Sequence, residues 1–416
     1  MHALTVIFLL AVVAGTATRL WLANRQIAAV SQHRAQVPEP FAQSISPADH
    51  HKAADYAVAR TRLGRIDTVI DAVLLLALTL GGGIDALDHL WRRMPLGEPW
   101  HGAGVILSVL LVMALIGLPL SLWSTFRLEA RFGFNRTTLA LFFVDRLKGL
   151  LLTLLIGAPL LLAALALMHR AGPLWWLYVW ALWLGVSLVL TWAYPALIAP
   201  LFNRFSPLSD DSLRTRIETL LERCGFASRG VFVIDGSRRS AHGNAYFTGV
   251  GRNKRIVFFD TLISTLEPGE IEAVLAHELG HFKLHHIRRR LIVSALLGLA
   301  GLALLGWLAT RSWFYQGLGL PNASDYGALL LFMLVSPVFT FFVTPLAAYW
   351  SRRDEFAADA FAAQHTPAAA LMAALVKLYR DNATTLTPDR VHSQFYDSHP
   401  PALARIARLR DLAPGP

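Results

Sequence analysis

The sequence predicts an α-helical integral membrane protein with seven transmembrane helices and a polar α+β domain on one side. Of its 416 residues, 55% are hydrophobic and only 16% charged, against about a quarter charged in soluble chains, so there is too little polar surface for an ordinary globule. The apolar residues also gather into seven runs near the length that crosses a bilayer, about 20 residues at 1.5 Å each. They lie roughly at 3–22, 66–86, 103–123, 150–168, 174–199, 290–310 and 327–350. Finally, the basic residues alternate between connections. Six (Arg25, Arg34, Lys52, Arg60, Arg62, Arg65) follow the first run and five (Arg127, Arg131, Arg136, Arg146, Lys148) the third, while two, one and one follow the second, fourth and sixth. Basic loops stay inside, which puts the amino terminus outside and the polar segments 200–288 and 351–416 in the cytosol.

Taken in order, the first run could serve as a cleaved signal peptide, but Met1-His2-Ala3 offers no basic n-region, and cleavage would strand the arginine-rich first loop outside. Residues 31–50 are polar and proline-bearing, as in a mobile loop. Asp67 and Asp71 open the second run near its cytosolic end, where they are interfacial or face a wet chamber. Pro159, Pro195, Pro337 and Pro345 interrupt later runs, which membrane helices tolerate when neighbours satisfy the freed carbonyls. In 210–223, Leu213, Ile217, Leu220 and Leu221 mark one face of a helix. "GVFVID" (230–235), "NAYFTGV" (244–250) and "RIVFFDTLI" (255–263) read as strands, with "GVGRNK" as a hairpin turn. A helix starts at "EPGEIEAVLAHELGHF", where Pro268 suits the first position and Glu267, Glu270 and Glu272 suit the positive end of the dipole.

That helix carries His277, Glu278 and His281. Histidines four apart share a face about 6 Å apart, close enough for both imidazoles to hold one ion at the roughly 2.0 Å zinc requires. Glu278 stands beside the first, where a carboxylate can take a proton from an attacking water. A working zinc site needs a third protein ligand and an open position. His285 is too far along the face, since eight helical residues span about 12 Å, and the positions of a glycine-spaced third histidine hold Leu284 and Ile287. Of the 138 residues after Glu278, the one glutamate is Glu355, in "SRRDEFAADAFA" directly after the seventh run. A membrane hairpin returns it to the side where His281 was left. Asp359, four residues on, shares its face and can hold a ligand imidazole in its tautomer.

"HELGH", a membrane hairpin and "EFAAD" together resemble the type I CAAX prenyl protease family of integral-membrane zinc endopeptidases. Further segments are similar: "EARFGFN" (129–135), "RSAHGNAYFTG" (239–249), "NKRIVFFDTL" (253–262) and "SHPPALARI" (398–406). The resemblance implies seven helices enclosing a water-filled chamber, with a cytosolic α+β zincin-like catalytic domain at its end. It implies that Asn244, Ala245 and Tyr246 hold substrate backbone, that His399 stabilises the oxyanion and that Arg405 braces the site. The residues alone say less: 244–250 is an edge strand onto which a peptide can add, His399 before Pro400 reads as a helix-start or surface residue, and "FGFN" has no derivable chemistry. The expected organisation is 1–201 for helices one to five, 202–288 and 351–416 for two parts of the catalytic domain, and 289–350 for the hairpin between them.

The expected activity is zinc-dependent peptide hydrolysis with Zn²⁺ on His277, His281 and Glu355, and with Glu278, Asp359 and His399 in the catalytic machinery. The substrate is a peptide or protein, prenylated or, in the alternative, a membrane protein under quality control. Charged flanks on the zinc helix exclude an intramembrane protease. A metal transporter would show repeats and ionisable groups within the runs, and neither is evident. The net charge of +10 is accounted for by anionic inner-leaflet lipids, so no nucleic-acid partner is expected. Cys224, the one cysteine, excludes an intrachain disulfide. A monomer is expected. The tail lacks the organelle-retrieval signal of some eukaryotic members, which leaves the host compartment open, with a bacterial inner membrane the expected one.

Overall fold

Long apolar helices dominate the computed structural model, which describes residues 2–226, 230–248 and 255–412. Among the described residues, six helices are long and apolar enough to cross a membrane, and a bent pair, taken as one span, makes a seventh. They are α1 (Ala3–Gln32), the pair α2 (Pro47–Leu78) and α3 (Gly83–Trp91), α4 (Trp100–Glu129), α5 (Leu139–Arg170) and α6 (Gly172–Phe202), then α9 (His286–Leu308) and the span Asp325–His365. This last span divides at a 3₁₀ turn, Phe341–Val343, into α10 (Asp325–Thr340) and α11 (Thr344–His365). Between α6 and α9 lie β1 (Phe205–Pro207), α7 (Asp211–Arg223), β2 (Val231–Ile234), β3 (Ala245–Thr248), β4 (Arg255–Phe259) and α8 (Pro268–Lys283). After α11 come α12 (Ala368–Asp381), α13 (Arg390–Tyr396) and α14 (Ala402–Leu412).

Several sequence expectations change. The helices outrun their apolar cores, because once a bilayer has nucleated a helix its polar ends continue into water or protein at little cost. The second run is not one rod: α2 and α3 meet at 53°, where Gly82 takes φ 78°, a left-handed conformation open to glycine. The stretch 31–50 is no free loop, for Phe41 and Ile45 are buried at 0% and 3% exposure in the core of the polar unit. Asp260–Ile263 coils into a helical turn instead of extending β4. Arg19 and Asp71 lie inside apolar runs and line a cavity there, so ionisable groups do occur among the spans. The hairpin turn expected at 249–254 lies outside the described residues.

The four strands form one sheet in the order β1-β2-β4-β3, with β2 and β4 parallel and the other neighbours antiparallel. β3 is therefore an edge strand. Asn244 O accepts from Phe259 N, so by antiparallel alternation the next residue, Ala245, turns its backbone groups away from β4. One hydrophobic core joins residues before and after the membrane hairpin: Leu213, Ile217, Ile271 and Leu275 pack with Ala362, Leu371 and Ile406. A second core unites the membrane helices.

Two features position α8. A capping box between Glu267 and Glu270 starts it, satisfying two orphan backbone donors, and Lys377 holds Glu270 at 2.8 Å. Then Gly280 lets it lie against α11, since a Cβ there would stand 3.0 Å from Cα of Ala358 and 3.1 Å from Cβ of Phe361. The small residues Ala358 and Ala362, both 0% exposed, complete the close approach. Gly280→Leu is expected to overpack this crossing by about 1–3 kcal/mol and to lower the thermal unfolding midpoint in detergent. An unchanged midpoint would show that the helices do not lie this close.

Candidate metal centre

The close crossing sets His277 and His281 of α8 opposite Glu355 and Asp359 of α11. Nε2 of His277 lies 3.3 Å from Nε2 of His281 and 3.4 Å from Glu355 Oε2, and His281 Nε2 lies 3.3 Å from Glu355 Oε1. The two imidazole nitrogens stand at the edge length of a tetrahedron, about 3.3 Å for ligands bonded at about 2.05 Å to a central ion, and the carboxylate turns one oxygen to each of them; taken one atom per residue, the three ligand atoms lie within 4.8 Å of one another. Glu355 Oε2 is also buried and accepts no hydrogen bond, which an uncompensated carboxylate oxygen tolerates poorly. Both observations fit a divalent ion held by these three residues.

Around the three donors the structure supplies braces. His277 Nδ1 meets Asp359 Oδ1 at 2.8 Å, and Asp359 takes two hydrogen bonds from Arg405, at 2.9 and 2.6 Å. Arg405 Nη2 also lies 3.4 Å from His277 Nδ1. The arginine is 6% exposed and spends its planar fork on the carboxylate, as buried arginines do. Burial draws the His277 imidazole down, but the carboxylates of Asp359 and Glu355 beside it outweigh that and push it up to about 9, so a metal entering the site displaces a proton. On the far side, His281 Nδ1 lies 3.0 Å from Nδ1 of His286.

Glu278 faces the cleft beside the donors, and burial pushes its carboxyl above the usual range, which suits a group that must take up and release a proton. His399 stands at the cleft mouth with 65% of its side chain exposed and its Nε2 3.5 Å from Glu355 Oε1. Desolvation by the cleft walls, helped by the charge of Arg405, holds its imidazole below the ordinary value. The cleft encloses about 570 Å³, and Asn244, Ala245, Glu278, His399 and Arg405 all line it. Tyr246 does not: alternation along β3 points its half-buried ring elsewhere, edge-on to Phe259 at 6.4 Å. Its backbone, one residue on from Ala245, turns inward to Val257 of β4.

The "FGFN" loop acquires a structural part. Phe134 stacks on His242 at 4.3 Å, Asn135 bridges to Ser240, and Tyr56 donates to Glu129 at 2.7 Å. Asn382 takes a hydrogen bond from Gly243 N at 3.1 Å. Together they hold the chain just before β3. Sequence reasoning overlooked His286 as well, because five residues past His281 it falls out of helical phase.

The cleft is not isolated. A cavity of about 520 Å³ shares Gln26, Asn382, Tyr396 and Asp397 with it. This cavity in turn shares Arg19 and Thr68 with an apolar one of about 260 Å³ among α1, α2 and α10. A series of spaces thus runs from the candidate metal centre down between the membrane helices.

Residues 26–204 match the CAAX prenyl protease N-terminal family, described as five membrane helices, and residues 207–413 match peptidase family M48. A CAAX prenyl protease 1 homolog of Oryza sativa subsp. japonica is 34% identical, over 92% of this chain and 93% of its own. CAAX prenyl protease 1 of Saccharomyces cerevisiae is 31% identical, over 94% and 91%. The crystal structure of S. mikatae Ste24p aligns with 98% of this chain and 99% of that one, at a TM-score of 0.88 and 29% identity. These relatives are eukaryotic and give no support to a bacterial inner membrane as host. With both halves matched and the membrane helices in place, the chain belongs to peptidase family M48 and is a multi-pass membrane metalloprotease of the CAAX prenyl protease kind.

Proposed function

We propose that the protein is a zinc endopeptidase that cuts an extended peptide lying along β3, and that its substrates carry a prenylated C-terminus. The convergence of His277, His281 and Glu355 beside Glu278 is the observation on which this rests. Two imidazole nitrogens and one carboxylate suit zinc and leave a fourth position open. An ion held there supplies Lewis-acid activation of a water and of the scissile carbonyl.

The chain's own residues do the rest. Ala245 turns its backbone to the sheet edge, where a substrate strand adds by main-chain pairing; its carbonyl faces outward there, while its N–H donates to Asn244 Oδ1 at 2.8 Å, and Asn244 lines the same wall. Glu278 accepts the proton of the attacking water and passes it to the departing amine. His399 donates a hydrogen bond to the carbonyl oxygen as negative charge grows on it. Asp359, backed by Arg405, fixes the His277 ring so that Nε2 faces the ion.

The cavities below the cleft favour a substrate with an apolar attachment, since the deepest is walled by Val12, Leu75, Leu78, Met333 and Leu334. We further assign 202–288 and 351–416 to one catalytic unit interrupted by the hairpin 289–350 and seated on helices of 1–201. The basic loops favour a cytosolic position for that unit, against anionic lipid. All the residues named come from one chain, so a monomer suffices.

Glu278→Gln is expected to bind about one zinc per chain by elemental analysis yet to lose nearly all peptide hydrolysis, the general base contributing on the order of 10² to 10⁴ in rate. Turnover retained in that variant contradicts the role of Glu278. The substrate class is tested by offering the pure enzyme a farnesylated C-a-a-X peptide, its unprenylated twin and a misfolded membrane protein. Preference for the first supports the proposal, and equal cleavage of the other two turns it towards quality control of membrane proteins.

A further inference from the structure

Each ligand imidazole has a second nitrogen, and the structure treats the two rings differently. For His277 that nitrogen meets a carboxylate, Asp359. For His281 it meets another imidazole: Nδ1 of His286, at 3.0 Å. Two ring nitrogens at this distance share one proton, one donating and the other accepting. With Nε2 of His281 turned to Glu355 and His277, its proton sits on Nδ1 and the acceptor is His286. His286 then carries its own proton on Nε2, which faces Asp354 Oδ1 at 3.7 Å. His286 is 4% exposed and Asp354 5%. Arg289 hydrogen-bonds Asp354 and Arg290 stands 4.0 Å away.

We propose that His286, oriented by Asp354, is the positioning residue for His281, as Asp359 with Arg405 is for His277. The inference rests on the metal-site reading above and deepens it. On an unbroken helix, residues five apart point about 140° away from each other at 100° per residue and cannot touch. The chain removes that obstacle by ending α8 at Lys283 and placing His285 at φ 58°, ψ 26°, a left-handed conformation that side chains other than glycine seldom adopt. α9 then opens on His286 with its ring beside His281. The membrane hairpin thereby contributes more than a tether. His286 is the first residue of its descending helix, and Asp354 lies on α11, the helix that returns.

The test uses the full-length protein in detergent, with zinc affinity measured by chelator competition and the visible spectrum recorded after Co²⁺ substitution. His286→Leu keeps bulk but removes the acceptor, and is expected to weaken zinc binding about 10- to 100-fold and to shift the cobalt bands. His286→Asn puts Oδ1 where Nδ1 stood, and is expected to hold affinity within about threefold of the parent. Parent-like affinity and cobalt bands in His286→Leu overturn the proposal. So does a tenfold or greater loss in His286→Asn, which decides the matter by itself if the leucine variant does not accumulate. His277→Ala serves as reference: if it too binds zinc as the parent does, the metal site itself is misassigned, an outcome distinct from a failure confined to His286.

Discussion

The close crossing of α8 and α11 is the constraint on which the rest of this structure depends. A single missing side chain, at Gly280, lets the two backbones approach until an added Cβ would press on Ala358 and Phe361 at 3.0 to 3.1 Å. At that separation, residues at helical spacing on one helix face residues at helical spacing on the other, and each imidazole Nε2 comes within 3.3 to 3.4 Å of the other ring and of one Glu355 oxygen. A wider crossing would still bury apolar surface. It would not gather two imidazoles and a carboxylate within bonding distance of one ion, since a shift of 1 Å exceeds the tolerance of a metal–ligand bond. The hydrophobic core around Leu275, Ala362 and Leu371 holds this geometry from behind.

Membrane topology solves a related problem. α8 and α11 are separated in sequence by a hairpin that leaves the polar unit and comes back to it, so the ligands are brought together by two spans instead of a local loop. Because the hairpin packs among the other membrane helices, the site is fixed relative to the bilayer as well as within its own unit. The linked cavities follow from this placement. They begin at the metal centre and end among apolar side chains of α1, α2 and α10.

Much of this was legible in the amino-acid order, for identifiable reasons. His277 and His281 are visible because helical periodicity is strict at a spacing of four. Glu355 is visible because glutamate is scarce after Glu278 and the parity of the spans returns the chain to the right side. Other features depend on breaks in regularity, which periodicity cannot see. The bend between α2 and α3 turns on Gly82 at positive φ inside an apolar run. Phe41 and Ile45 look like loop residues until a distant core is available to bury them. His286 comes beside His281 through one left-handed residue, His285. The "FGFN" loop acts through Phe134 stacked on His242, a contact between segments over a hundred residues apart that no local pattern announces.

The central claim is that one ion is held jointly by α8 and α11. Anomalous diffraction at the zinc absorption edge from crystals of the isolated protein tests it most directly. The account predicts one strong peak about 2.0–2.2 Å from Nε2 of His277, Nε2 of His281 and the carboxylate of Glu355. A peak bound by the two histidines alone, with Glu355 turned away, or zinc located elsewhere on the chain, would contradict it.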